Sequence, residues 1–164
     1  IGGFIIASGL AALLGGRIFG RFADRSSQRL MSIGAGIASA ILIATVAITW
    51  LPNFRGEGWL VNLMFITVYF LLTLTHTGVR VGRKTYIIDM AEGDQRTTYV
   101  AVSNSAMGFI LLVVGGVTSA IAAVNIPFAL LFLAAMGLIG VFAGARLPEV
   151  SASEEPSAER RPSE

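Results

Sequence analysis

Residues 100–124 read VAVSNSAMGFILLVVGGVTSAIAAV, and residues 127–147 read PFALLFLAAMGLIGVFAGARL. The first stretch holds no ionisable side chain and the second only Arg146, near its end. The hydrocarbon core of a bilayer is about 30 Å thick and takes about 20 apolar residues of helix. Both stretches meet that length, and only Asn125 and Ile126 separate them, so they read as antiparallel neighbours. Three more stretches of the same kind precede them: Ile1 to Phe19, Leu30 to Leu51 and Trp59 to Val79. None alternates with the period of two over ten residues that marks a membrane barrel. The expectation is an all-α, polytopic transmembrane helix bundle of five spans over residues 1–147.

Composition supports this reading. The apolar set AVILMFWYC makes up 54% of the 164 residues, and 19 glycines raise the share to about 65%, against about 45–50% in ordinary globular proteins. Charged residues are only 13%. A water-soluble domain of this size cannot hide so much apolar side chain behind so few charges. The excess implies a lipid bilayer as partner.

The same composition excludes several chemistries. There is no cysteine, hence no disulfide, thiolate metal site or Cys nucleophile, and the one histidine rules out a His-rich site. Phosphate-cradling, zincin and hydrolase signatures are missing. With one histidine and few intramembrane carboxylates an integral-membrane enzyme is disfavoured, and no cofactor or nucleic acid is expected.

The basic residues set an orientation, because short cytoplasmic loops retain positive charge. Arg17, Arg21, Arg25 and Arg29 follow the first span, Arg80, Arg83, Lys84 and Arg96 the third, and Arg146, Arg160 and Arg161 close the chain, whereas the other side carries Arg55 alone. The expected topology is therefore multi-pass with a cytoplasmic C-terminus. Trp50 and Trp59 bracket an outer loop at headgroup level. Residues 148–164 read as a disordered cytoplasmic tail. Ile1 is not a start methionine and stands inside an apolar run, so the chain is expected to continue a longer protein.

Two rows of small residues recur at four-residue spacing, Ser8, Ala12, Gly16 and Gly20 in the first span and Ser32, Gly36, Ala40 and Ala44 in the second. Such rows let helix backbones approach closely. They read as packing faces.

The loop after the first span reads Gly20-Arg-Phe-Ala-Asp24-Arg25-Ser-Ser-Gln-Arg29. It resembles the G-x-x-x-D-R-x-G-R-R loop of the major facilitator superfamily, found between the second and third spans and, more degenerately, between the eighth and ninth. A second segment, Tyr86-Ile-Ile-Asp89-Met-Ala-Glu-Gly-Asp-Gln-Arg96, resembles the Y-x-x-[DE]-x-x-P-x-x-x-R pattern that closes the fourth or tenth span there. Ser27 and Gln28 depart from the first pattern and Glu92 from the second. The departures and the short acidic tail favour the second-half copy, which would make the five stretches spans eight to twelve of a twelve-span fold, with a missing N-terminal half supplying the rest. The other placement is spans two to six, with the tail beginning the central loop.

The resemblance implies a secondary transporter in the plasma (inner) membrane. Gly20 would allow a close helix approach, Arg25 or Arg29 would pair with Asp89, and Asp24 would dock at the start of the fourth span near Arg96. Together these residues would latch the cytoplasmic side closed.

Helical periodicity adds a candidate path. Asn62, Tyr69, Thr73, His76, Arg80 and Arg83 follow one another at spacings of seven, four, three, four and three residues, which places them on one stripe along the third span. Polar groups at membrane depth usually face a bundle interior or a water-filled cavity. The stripe is the candidate lining for a small-molecule solute, and His76 a candidate for exchanging protons near neutral pH. Arg80, Arg83 and Lys84 also read simply as residues just past the bilayer. In the fourth span Asn104 heads a narrower face with Gly108, Gly115 and Ser119, a packing or lining surface. The alternative function is a non-transporting membrane protein whose small-residue faces associate with partner helices.

Overall fold

The computed structural model describes residues 2–54, 58–91, 95–148 and 150. Four long helices account for nearly all of them, and no strand occurs among the described residues: α1 (Gly2–Thr49), α2 (Trp59–Met90), α3 (Gln95–Val124) and α4 (Ile126–Ala145). A single 3-10 turn, Pro52–Phe54, follows α1. By length and composition all four helices are able to cross a membrane.

The first two expected stretches are joined in α1, and the expected loop between them is helical except at one residue. Ser26 sits at φ −164° and ψ 93°, extended backbone inside the helix. Its Oγ accepts a hydrogen bond from the Arg29 backbone N–H at 3.2 Å. This is N-cap chemistry, in which a serine oxygen takes the amide three residues on. A second helical arm therefore begins at Ser27, directly after the first arm ends at Arg25.

Contacts along the arms show a reversal of direction. A Cβ placed on Gly3 would meet Ile66 and one on Gly15 would meet Thr77, so the first arm runs with α2. Gly82 faces Ser27 and Leu30, while Gly34 faces Val79 and Thr75, so the second arm runs against α2. The second arm also runs against α4, since Gly144 faces Ser32, Gly140 faces Ala35 and Gly137 faces Ser39. It is thus the centre of the packed body, between α2 and α4. Leu30, Leu42, Val46 and Ser39 are buried along it.

Close backbone approach explains the glycines here. A Cβ on Gly34 would stand 2.6 Å from Val79 Cγ2, and one on Gly82 would stand 3.1 Å from the Ser27 carbonyl oxygen. In the first arm the row that packs is Ala7, Ala11 and Gly15, all buried. That is one position earlier than the expected row, and Gly16 and Gly20 have no atom near their Cβ positions. The physical reason is rotation about the helix axis: adjacent rows face different directions, and α2 presents the β-branched Thr77 and Ile66 to the earlier one. In the second arm the expected row is half right, because Ser32 and Gly36 meet α4 while Ala40 and Ala44 are exposed.

Buried hydroxyls are satisfied within their own helices. Ser39 donates to Ala35 O at 2.9 Å, Thr45 to Ile41 O at 2.7 Å, Thr75 to Leu71 O at 2.6 Å and Thr77 to Thr73 O at 2.9 Å. Among the described residues no buried side-chain nitrogen or oxygen lacks a partner. Thr77 thereby presents its methyl to Gly15, and Ser39 sets its Oγ against Gly137 while donating to its own helix backbone. One bond that does cross between helices is Gln28 Nε2 to Gly144 O, at 2.8 Å.

α2 extends to Met90, eleven residues beyond the expected span. At about 1.5 Å per residue its 32 residues measure about 48 Å, well over a bilayer core of about 30 Å. α3 is the least covered element, with none of its residues buried. α4 opens with Asn125 as N-cap, its Oδ1 accepting from the Phe128 amide at 3.2 Å. Pro127 in the first turn adds the preset φ that suits a helix start.

Candidate functional site

The reversal at Ser26 decides where the first motif goes. Gly20, Asp24 and Arg25 lie in the last two turns of the first arm, and Arg29 lies in the first turn of the second. Because Ser27 packs on Gly82 of α2, the crease stands two turns from Asp89, near the end of that helix. The two motif segments are thereby brought to one end of the body. Tyr86, which opens the second motif, is buried there at 6% exposure.

Within that end the individual side chains are disposed as follows. Asp24, Arg25, Arg29 and Asp89 are exposed and Gly20 is half-buried. Asp24 lines an open groove with Arg17, Arg21 and Arg25. It belongs to the C-terminal turn of the first arm, where the helix dipole disfavours a carboxylate and favours the arginines around it. The start of α3, where the resemblance would dock Asp24, is exposed at Gln95, Arg96 and Thr97. Arg96 turns back instead, and its Nε donates to the Ala91 carbonyl at the end of α2, at 3.0 Å.

The polar stripe of α2 is turned away from the second arm of α1, which packs on Thr75, Val79 and Gly82. Asn62, Tyr69, His76 and Arg80 are exposed, and Thr73 and Arg83 are half-buried. The buried residues Thr75, Gly78, Gly82 and Tyr86 form a row of their own, at spacings of three and four. Gly78 stands two residues from both His76 and Arg80, which puts that row on the opposite side of the helix from the stripe. Two of the stripe residues touch neighbours. Tyr69 meets Phe4 edge to face, with ring centroids 5.3 Å apart at 77°. Arg83 Nη1 donates to Ser103 Oγ on α3 at 3.4 Å, next to the exposed Asn104. Arg83 and Asn104 thus lie where α2 and α3 meet, and the other stripe residues continue along the open side of α2.

Three residues that the motif reading passed over organise this end: Ser26, Gln28 and Ser103. A signal for Ser26 was present, since a serine just before an apolar run is an N-cap signature. Gln28 and Ser103 carry no local pattern, because their partners lie on other helices. Among the described residues no group of three or more metal-ligating side chains gathers.

No protein-family model matches the chain, and no curated protein or solved structure matches it.

Proposed function

We propose that the chain forms five membrane spans, the eighth to twelfth, of a secondary transporter of the major facilitator type, which moves a small solute by alternating access. The observation that carries this reading is the crease at Ser26. It turns α1 into two antiparallel arms and sets the Gly20 to Arg29 segment beside the end of α2 that carries Tyr86 and Asp89. Two segments far apart in sequence and alike in their resemblance are neighbours in space.

The charge pattern fits a gate on the cytoplasmic side. Arg17, Arg21 and Arg25 line one groove with Asp24, Arg29 stands just past the crease, and Asp89 is near the end of α2. In this reading the carboxylates hold the arginines in one arrangement while the gate is shut and release them when it opens. The α2 stripe with His76 at its middle lines the solute path, open toward the half of the transporter that would cover it. Energy comes from an ion or solute gradient, with proton exchange at His76 as one route.

Charge-neutralising variants test the gate. Asp24→Asn or Asp89→Asn in the full transporter is expected to lower solute flux in proteoliposomes at least tenfold with unchanged membrane insertion. Wild-type flux in both variants would rule the gate out.

A second reading, a membrane module that associates through small-residue helix faces, is favoured by the open positions beside Gly16, Gly108, Gly115 and Gly116. It retains the membrane placement and dispenses with transport.

A further inference from the structure

The crease at Ser26 leaves a wedge between the two arms of α1. Its crease end carries Arg25 and Arg29, one from each arm, and its walls are Ile18 and Phe22 on one side and Leu30 and Ile33 on the other. The wedge encloses about 450 Å³. Ile18, Phe22 and Ile33 are 48%, 62% and 58% exposed, so its apolar walls are open from the side.

The apolar track continues past the wedge. Phe19, Leu30 and Ile33 also wall a narrower crevice that runs on to Ile37 and Ile41 against α2. From Leu30 to Ile41 the second arm rises about 16 Å. That is the depth of one leaflet, half of a core about 30 Å thick. Two guanidinium groups therefore stand at one end of an apolar slot as long as an acyl chain is deep.

We infer that this wedge is a binding site for a phospholipid with an anionic headgroup, phosphate on Arg25 and Arg29 and one acyl chain along Ile33 and Ile37. Charge selects the headgroup, because no carboxylate lines the wedge and both arginines at its crease end are exposed. Guanidinium forks match phosphate oxygens in pairs, and basic pockets between membrane helices favour anionic headgroups. Shape selects an amphiphile over a free anion, because the arginines end an apolar track. The site rests on the membrane placement of α1 and is independent of transport.

The test is lipid retention by the full chain. The protein is reconstituted in vesicles of equal phosphatidylglycerol and phosphatidylcholine, extracted in mild detergent, and its co-purifying lipids are counted per chain. Wild type is expected to keep about one phosphatidylglycerol in preference to phosphatidylcholine. Arg25→Gln/Arg29→Gln is expected to lower that retention at least fivefold, and Ile33→Trp, which fills the slot while keeping both charges, to lower it similarly. Arg146→Gln, a basic residue outside the wedge, is expected to leave it unchanged. Retention unaffected by the double variant, or lowered equally by Arg146→Gln, overturns the site in favour of bulk surface charge. Failure of the chain to float with the vesicles overturns the membrane placement itself, and is distinguishable from the other outcomes because no lipid of either kind is then retained.

Discussion

At the scale of single residues, two glycines of α1, one on each arm, have opposite roles. A Cβ on Gly34 would press on Val79 Cγ2 at 2.6 Å, and a β-branched valine in a helix has little rotamer freedom with which to yield. Gly34→Ala is therefore expected to destabilise the folded chain by about 1–3 kcal/mol, the usual cost of overpacking. Gly16 has nothing within 4 Å of its Cβ position. There Gly16→Ala removes only the conformational freedom of glycine in a helix and is expected to stabilise by about 0.5–1 kcal/mol. Thermal unfolding of both variants in the same detergent checks the pair of signs. The sequence displays Gly16 in a small-residue row and does not display Gly34 in one, because which row meets a neighbour depends on the rotation of the helix. That rotation is set by Thr77 and Val79 on another element, and no local pattern carries it.

At the scale of elements, the apolar runs of α3 and α4 are legible because lipid demands a length and a composition, and their ends follow from Asn125 and Pro127. The join within α1 is less legible. Arg17 to Arg29 reads as a polar loop by charge, but arginine is a good helix former and nothing in the segment except Ser26 interrupts the helix. A charged stretch is therefore compatible with a helix that simply leaves the membrane. The cap can be tested directly: Ser26→Ala is expected to cost about 1 kcal/mol of stability, and Ser26→Asp, which keeps an acceptor, to recover most of it. Chemical or thermal unfolding of the two variants reads the difference. The extra length of α2 was also hidden, because basic residues after Val79 signal the end of a span and do not signal the end of a helix.

At the scale of the whole molecule, the relation between Gly2 and Gly58 separates the arrangements of α1. Two antiparallel arms put residues 2 and 58 on one side of a membrane and residue 95 on the other, whereas a single crossing by α1 would put residues 2 and 58 on opposite sides. The chain has no cysteine, so single-cysteine variants report one position each. Gly2→Cys and Gly58→Cys are expected to react with an impermeant maleimide from outside, and Gln95→Cys only after permeabilisation. Labelling of Gly2→Cys and Gly58→Cys from opposite faces would remove the two-arm arrangement. Of the candidate site, the sequence displays the motif residues and the α2 stripe, since both obey fixed spacings. It conceals the bonds that tie the helices together at this end, Gln28 to Gly144 and Arg83 to Ser103, because each links residues from separate helices.

The uncovered state of α3 bears on how such a chain is made. Its apolar run, continuous from Ala106 to Val117, enters a bilayer by its own hydration cost, and its link to α4 through Asn125 alone lets the pair enter as one hairpin. Insertion of α3 therefore need not wait for α1 and α2 to dock. What remains after insertion is lateral, the sliding of an already solvated rod against whichever surface comes to cover Gly108 and Gly115. The order of events during synthesis would then be set by packing, with hydrophobic entry early and the choice of neighbour last.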